Sequence, residues 1–489
     1  MSCDDWACIC TELSTNPHLT QINLDSSKCE LEGAGVVANR SNSRISEIAA
    51  AISASTSIQS VNLRATFIMS KDTQCIEKSL SQSTSLTIIQ PLNNMIEGAD
   101  ARHIAKSISD SVSLTSVDIG YNKLGCDVAF EFIEIFKKKR MVNVGLACCN
   151  MGARHARAVG DYISSSTTLR NINLRCNKFG PEGAQFVGEA IAHNHTLTCV
   201  DISHTKLSSE GAKHIARGIA ASKTLRSVDI SFNNIGHAGA KYIASGISSS
   251  SSLTHIDLQY NDIGTKGAQY IATGVAGSSS LTQCPLAFNN IGAAGWNSIF
   301  GSLRDCNRSK ITNWKLECEC GIIESINVLA QYIGISSSLT SVNLSRNKIG
   351  LGGAKCVADG ISASTTLVLI DLDACEIGPQ GAMYIANGIA VSTSLTSIDF
   401  SWNHIGCNGG RAFGVAIAAS KSLRDLSLYN NNIGYDGAKC IAKGISMNTS
   451  LKRINLCQND ISEAGKRVIE FAVSQSCSLA IHDVDLRCN

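Results

Sequence analysis

Along most of the chain two hydrophobic rhythms take turns. In Leu253-Thr-His-Ile256-Asp-Leu258, Ile256 and Leu258 alternate with polar neighbours, the period-two pattern of a half-buried strand, so His255 and Asp257 point outward. A few residues later Ala268, Ile271, Ala272 and Val275 fall at i, i+3, i+4 and i+7, the single apolar stripe of a helix facing the strands. The phrase opens again at Leu225, Leu253 and Leu281, and at Leu339, Leu367, Leu395, Leu423 and Leu451, in steps of 28 residues. A fixed period of this size predicts a solenoid, because one strand-plus-helix unit cannot bury its apolar face and stacked units share a core.

The unit L-x-x-L-x-L-x-x-N-x-I-G-x-x-G-A-x-x-I-A-x-G-I assigns a task to most positions. The ninth is asparagine in repeat after repeat (Asn94, Asn122, Asn177, Asn233, Asn261, Asn289, Asn347, Asn403, Asn431 and Asn459), placed where its amide can pair backbone groups that the strand ladder leaves over. Gly264, at the twelfth, permits a turn at positive φ, and Gly267 leaves room for the helix start against its neighbour. Helices pack roughly 8–10 Å apart and paired strands about 4.8 Å apart. The stack is therefore expected to curve, with strands on the concave wall and helices on the convex one.

These residues resemble the leucine-rich repeats of the ribonuclease-inhibitor type, shared by the repeat regions of NOD-like receptors and by Ran GTPase-activating protein. The resemblance runs from about Leu19 to Asn489 and is closest from Leu225 to Gly295 and from Leu339 to Gly444. It implies an α/β leucine-rich-repeat solenoid, a curved horseshoe of parallel strands and outer helices. The expected organisation is a cap segment over residues 1–18 and a repeat array over 19–489, irregular near 25–57 and 304–338.

Composition narrows the setting. The 489 residues carry 42 basic and 40 acidic side chains, a formal charge of +2, so no basic field argues for nucleic acid. The start, Met1-Ser-Cys-Asp-Asp-Trp-Ala-Cys, lacks the basic and apolar regions of a secretory signal, and no apolar run is long enough to cross a bilayer. A cytoplasmic setting is the expectation. The 21 cysteines are odd in number and scattered, which suits reduced thiols better than a disulfide framework. Cys149 and Cys375 take the place of the ladder asparagine, and Cys8-Ile-Cys10 and Cys318-Glu-Cys320 have the wrong spacing for a zinc knuckle. Neither a metal nor a cofactor is expected.

The rhythm breaks in a few places. Asn39-Arg-Ser-Asn-Ser-Arg44 is a polar insertion expected to bulge before a helix near Ile45 to Ile52. The repeat from Ile311 to Gly321 lacks both the asparagine and the G-x-x-G-A phrase, and is expected to be a hinge or a contact point. Pro91 and Pro285 fall in expected strands, where each removes a ladder donor. Trp6 and Ile9 are expected to pack a short helical cap on the first repeat. A last strand is expected around Val484, followed by a ladder asparagine, Asn489, and no helix, so the end is expected to fray unless the chain is a fragment or another surface covers it. Serine clusters such as Ser248–Ser252 read as polar loop, and Lys213, Lys241, Lys355 and Lys439 as a solvated helix face.

Catalytic motifs are missing: there is no G-x-x-x-x-G-K-[ST], no H-E-x-x-H and no G-x-S-x-G. The candidate surface is the concave wall. Its outward fifth position carries Asp201, Asp229, Asp257, Asp371 and Asp399, and its eighth carries His204, Phe232, Tyr260, Phe288 and Trp402. An aromatic strip beside a carboxylate row is what a hot spot for a basic protein or peptide looks like. The reading that follows is a noncatalytic protein-interaction scaffold. The resemblance also raises a GTPase-activating role for a small GTPase, or inhibition of a basic ribonuclease, with no catalytic residue mapped.

Overall fold

A computed structural model of the chain describes residues 12–25, 45–306, 308–476 and 484–486. The expected cap contacts of Trp6 and Ile9, the insertion at 39–44, and Ile481 and Asn489 lie outside these residues. The chain divides into two units, Met1–Ile235 and Gly236–Asn489.

In the first unit, among the described residues, short strands run from Gln21–Asn23 to Ser227–Asp229, each paired in parallel with the next in chain order. The register steps one repeat at a time, so Asp201 lies beside Asp229. Among the described residues of the second unit, a seven-stranded parallel sheet runs from Asn313–Lys315 to Val484–Asp485. Helices such as Gly98–Asp110 and Gly350–Ala363 intervene between strands. The two periodicities deliver what they predict: Val228, Ile230, Ile243 and Ile247 are fully buried, as are their counterparts Ile256, Leu258 and Ile271. In Ser227–Asp229 and Ser397–Asp399 the residues on either side of the buried one stay half-exposed.

The asparagine ladder is as expected and more complete. Asn233 Nδ2 donates to the carbonyls of Ile202, Ile230 and Ser231 at 2.9, 3.0 and 3.1 Å. Its Oδ1 accepts from Thr205 and Leu207 N–H at 2.9 and 3.2 Å. Each amide thus ties its own turn to the turn of the repeat before it, and buried backbone groups that would cost about 1–3 kcal/mol each if left bare are paired. The thiols that replace asparagine reproduce the donor half: Cys375 Sγ donates to Leu344 O at 3.2 Å and to Asp373 O at 3.5 Å. Burial pushes the thiols of Cys149 and Cys375 up, which suits sulfur that serves as a hydrogen-bonded core atom.

Serine forms a second ladder where polar loop was expected. Ser250 is buried, its Oγ accepts from Leu253 N at 3.2 Å, and Ser280 Oγ donates to Leu253 O at 2.8 Å. The hydroxyls cap the chain as it leaves the helix for the next strand.

Both prolines sit just outside regular strand. Pro91 follows Ile88–Gln90, and its carbonyl accepts from Asn122 Nδ2 at 3.0 Å. Pro285 has the larger effect: its repeat keeps only a single bridge, His255 to Gln283, because the missing N–H interrupts the ladder there. The repeat from Ile311 is a packed place. Trp314 is buried and meets Trp296 and Phe300 edge-on at 6.3 and 5.6 Å. Glu319 stands where the ladder asparagine would be; its N–H donates to Asn347 Oδ1 at 3.1 Å, and burial pushes its carboxyl up while the Phe288 N–H, which it accepts, pulls it down.

Candidate functional site

The surface is built at the exit of each strand. Outward side chains at the third, fifth and seventh positions of successive repeats form columns, and the chain then turns through left-handed residues. Positive φ was expected only at glycine, and Gly264 has it, at +62°. The eighth and tenth positions share it: Phe232 and Asn234 lie at 57° and 51°, Tyr260 and Asp262 at 54° and 52°, Trp402 and His404 at 55° and 52°. Such a conformation costs a non-glycine residue about 1–2 kcal/mol. The recurrent Asn and Asp at the tenth position carried the signal, since these residues tolerate it best.

The turn aims the eighth side chain outward and stacks it on its neighbour. His204 and Phe232 are parallel with centroids 4.1 Å apart, in the first unit. Tyr260 and Phe288 are parallel at 4.3 Å, in the second. A stack of this kind contributes about 0.5–1.5 kcal/mol beyond burial, which offsets part of the backbone cost. Phe288 remains 61% exposed and Trp402 47%, so this energy leaves much ring surface uncovered. Trp402 is separated from Phe288 by repeats that carry Cys318, Arg346 and Ala374 at the eighth position, and it meets Tyr429 instead, at 6.0 Å. Tyr429, at a seventh position, was missed because apolar residues there follow no period.

The aspartates hold the turn as well as facing outward. One carboxylate oxygen accepts the N–H two residues on: Asp201 from Ser203 at 2.9 Å, Asp229 from Ser231 at 2.8 Å, Asp257 from Gln259 at 2.9 Å, Asp371 from Asp373 at 3.0 Å and Asp399 from Ser401 at 2.9 Å. This recurrent Asx turn is a physical reason for aspartate at the fifth position. In the first unit, burial pushes the Asp201 carboxyl above its ordinary range.

In the second unit the acidic row is reinforced from the seventh position. Asp371 and Asp399 are register neighbours, and Asp373 and Glu317 join them. Arg346 pairs with Glu317 at 3.3 Å. Burial, followed by the charges of Asp399 and Asp371, pushes the Asp373 carboxyl up; burial does the same to Asp371. A carboxyl whose folded-state pKa lies above its unfolded value binds protons more readily when folded, so its ionisation costs stability as pH rises through that interval. Asp373→Asn is expected to raise the urea midpoint at pH 7, with the gain vanishing near pH 3 where both side chains are neutral. Paired urea titrations across that range check it. Further along the sheet, Ser397, Asp399, Asp425, Ser427, Arg453 and Asn455 line an open hollow in which Arg453 is ion-paired to Asp425.

A family model described as "Leucine Rich repeat" matches residues 165–188, 193–216, 221–244, 249–272, 336–358, 391–414 and 419–442. Those seven stretches match leucine-rich repeats. Together with the alternating strands and helices, this makes the fold an α/β leucine-rich-repeat solenoid. No curated protein matches the sequence. Among 175 matching solved chains is "Leiomodin-1 Actin-Binding Site 2 (ABS2)", 18% identical, covering 29% of this chain and 84% of that one at a TM-score of 0.27. A likeness at that score carries no argument about function. Leucine-rich repeats generally mediate protein–protein interaction. Among the described residues no helix is long and apolar enough to cross a membrane, and no group of three or more His, Cys, Asp or Glu is placed to hold a metal.

Proposed function

We propose that this leucine-rich-repeat chain is a noncatalytic scaffold that binds a protein partner through the strand-exit surface of its repeats. The observation that carries this reading is the ring pair Tyr260 and Phe288, held stacked on left-handed backbone while Phe288 stays 61% exposed. Aromatic side chains with few rotamers, fixed before binding, lose little entropy on association and are the usual anchors of interfaces. Glu317, Asp371, Asp373 and Asp399 supply negative charge in the same unit. We therefore read the partner as a protein segment with basic side chains flanking an apolar one, its association weakening as salt rises. The setting is cytoplasmic in this reading, and the repeats are of the ribonuclease-inhibitor type, which the strand-and-helix unit of 28 residues supports.

The test is affinity capture with the wild-type chain and with Tyr260→Ala/Phe288→Ala/Trp402→Ala, followed by titration of the captured protein against both. Loss of a hot-spot ring costs about 2 kcal/mol or more, roughly thirtyfold in Kd. An unchanged Kd for every partner captured would refute this placement.

A further inference from the structure

The eighth-position column that carries rings elsewhere carries two thiols in the first unit. Tyr121, Cys148, Cys176 and His204 occupy it on consecutive repeats, at φ of 56°, 52°, 57° and 55°. Cys148 N–H donates to the carbonyl of Arg175, the residue before Cys176, at 2.8 Å, so the two cysteines lie side by side on adjacent turns with side chains aimed the same way. The Cys148 and Cys176 thiols themselves are in hydrogen-bond contact, the nearness that closing a disulfide requires. Both cysteines are part-exposed and reduced. The neighbouring Cys149, by contrast, is buried and points inward, its Sγ donating to Ala147 O at 3.4 Å.

The surroundings divide the labour between the two sulfurs. The Arg175 guanidinium reaches the Cys176 thiol, and its buried Nε has no hydrogen-bond partner. A cation there faces the negative charge that passes between the sulfurs during exchange. Cys148 sits between Cys176 and the Tyr121 hydroxyl, and burial, then contact with Cys176, pushes its thiol up to about 11. Cys176 is thus the sulfur beside the cation, and Cys148 the one placed to reach it second.

We propose that Cys176 and Cys148 form a dithiol exchange site that reacts with small-molecule disulfides and closes into a cross-repeat disulfide. The Cys176 thiolate attacks one sulfur of the small disulfide, whose S–S bond breaks and releases one thiolate. Cys148 then gives its proton to solvent and attacks Cys176 Sγ, expelling the second thiolate. Two protein thiols are oxidised, one small disulfide is reduced to two thiols, and the two protons lost by the protein balance those taken up by the leaving groups. The site is separate from the rings and carboxylates read above as a partner surface in the second unit.

The probe is oxidised glutathione, added to the fully reduced chain, with differential alkylation and peptide mass mapping over time. The wild-type chain is expected to link Cys148 to Cys176 before its other cysteines react. Cys148→Ser is expected to accumulate a stable glutathione adduct on Cys176. Cys176→Ser is expected to leave Cys148 unmodified over the same interval, and Arg175→Gln to slow the first step roughly threefold to tenfold. Circular dichroism melts confirm that each variant is folded, and because adduct formation on single variants reads each thiol separately, one misfolded variant does not decide the matter. A Cys148–Cys149 linkage, equal reactivity of Cys148 in the Cys176→Ser chain, or no linkage while other cysteines react, would each overturn the assignment.

Discussion

Asn289→Ala is expected to lower stability by about 3–5 kcal/mol, far more than removal of a small polar side chain from a surface would. Asn289 is completely buried. Its Nδ2 donates to Leu258 O and Leu286 O, both at 2.8 Å, and its Oδ1 accepts from Asn261 N at 2.9 Å and Ile263 N at 3.3 Å. Alanine strips partners from four backbone groups spread over two repeats, in a space too apolar for water to replace them well. Asn289→Cys is expected to lose less, since Cys149 and Cys375 show how a thiol donates to the carbonyl of the preceding repeat, which Leu258 supplies here, and to the carbonyl two residues back. Because neighbouring repeats unfold in segments, the measurement is hydrogen exchange at Asn261 and Ile263 alongside urea denaturation. Equal losses for alanine and cysteine, or exchange at these amides unchanged, would show that the ladder is not what joins the repeats.

The ladder was legible in the sequence because one chemical solution is repeated at one position, and repetition separates signal from accident. The strand and helix of each repeat were legible for the same reason, Ile256 and Leu258 giving one period and Ala268, Ile271, Ala272 and Val275 the other. The turn was only half legible. Glycine at the twelfth position announces a left-handed residue, but Phe232 and Trp402 at the eighth give no such notice, since bulky side chains adopt that conformation only when the surrounding hydrogen bonds impose it. Trp402 N–H, for example, donates to Tyr429 O at 2.9 Å. The aspartates were read by direction alone, and their capping of the N–H two residues on became apparent only with the turn in place. Glu319 was unreadable as a ladder residue because its repeat carries none of the flanking phrase. The thiol pair was hidden too, since Cys148 and Cys176 are neighbours only once the register between repeats is fixed.

Gly321→Ala is expected to cost 3 kcal/mol or more, roughly, through a clash that side-chain motion cannot relieve. Gly321 precedes the helix Ile322–Ile335 at a φ of +84°, and a Cβ added there would lie 2.3 Å from Ala293 N and 2.5 Å from Gly292 C. Those are backbone atoms at the start of the preceding helix, Gly292–Asp305, so one helix end must shift against the other. The shift would reach the buried cluster of Trp296, Phe300 and Trp314, which makes intrinsic tryptophan fluorescence a local reporter beside the urea midpoint. Gly264→Ala separates the two contributions. Gly264 has a comparable φ of +62° with nothing within 4 Å of the added atom, so only the conformational penalty of about 1 kcal/mol applies. A large gap between the two variants, with emission altered only in Gly321→Ala, assigns the cost to the close approach of the two helix starts. Matching losses would mean that the irregular repeat has slack at this point, and that its glycine is there for backbone conformation alone.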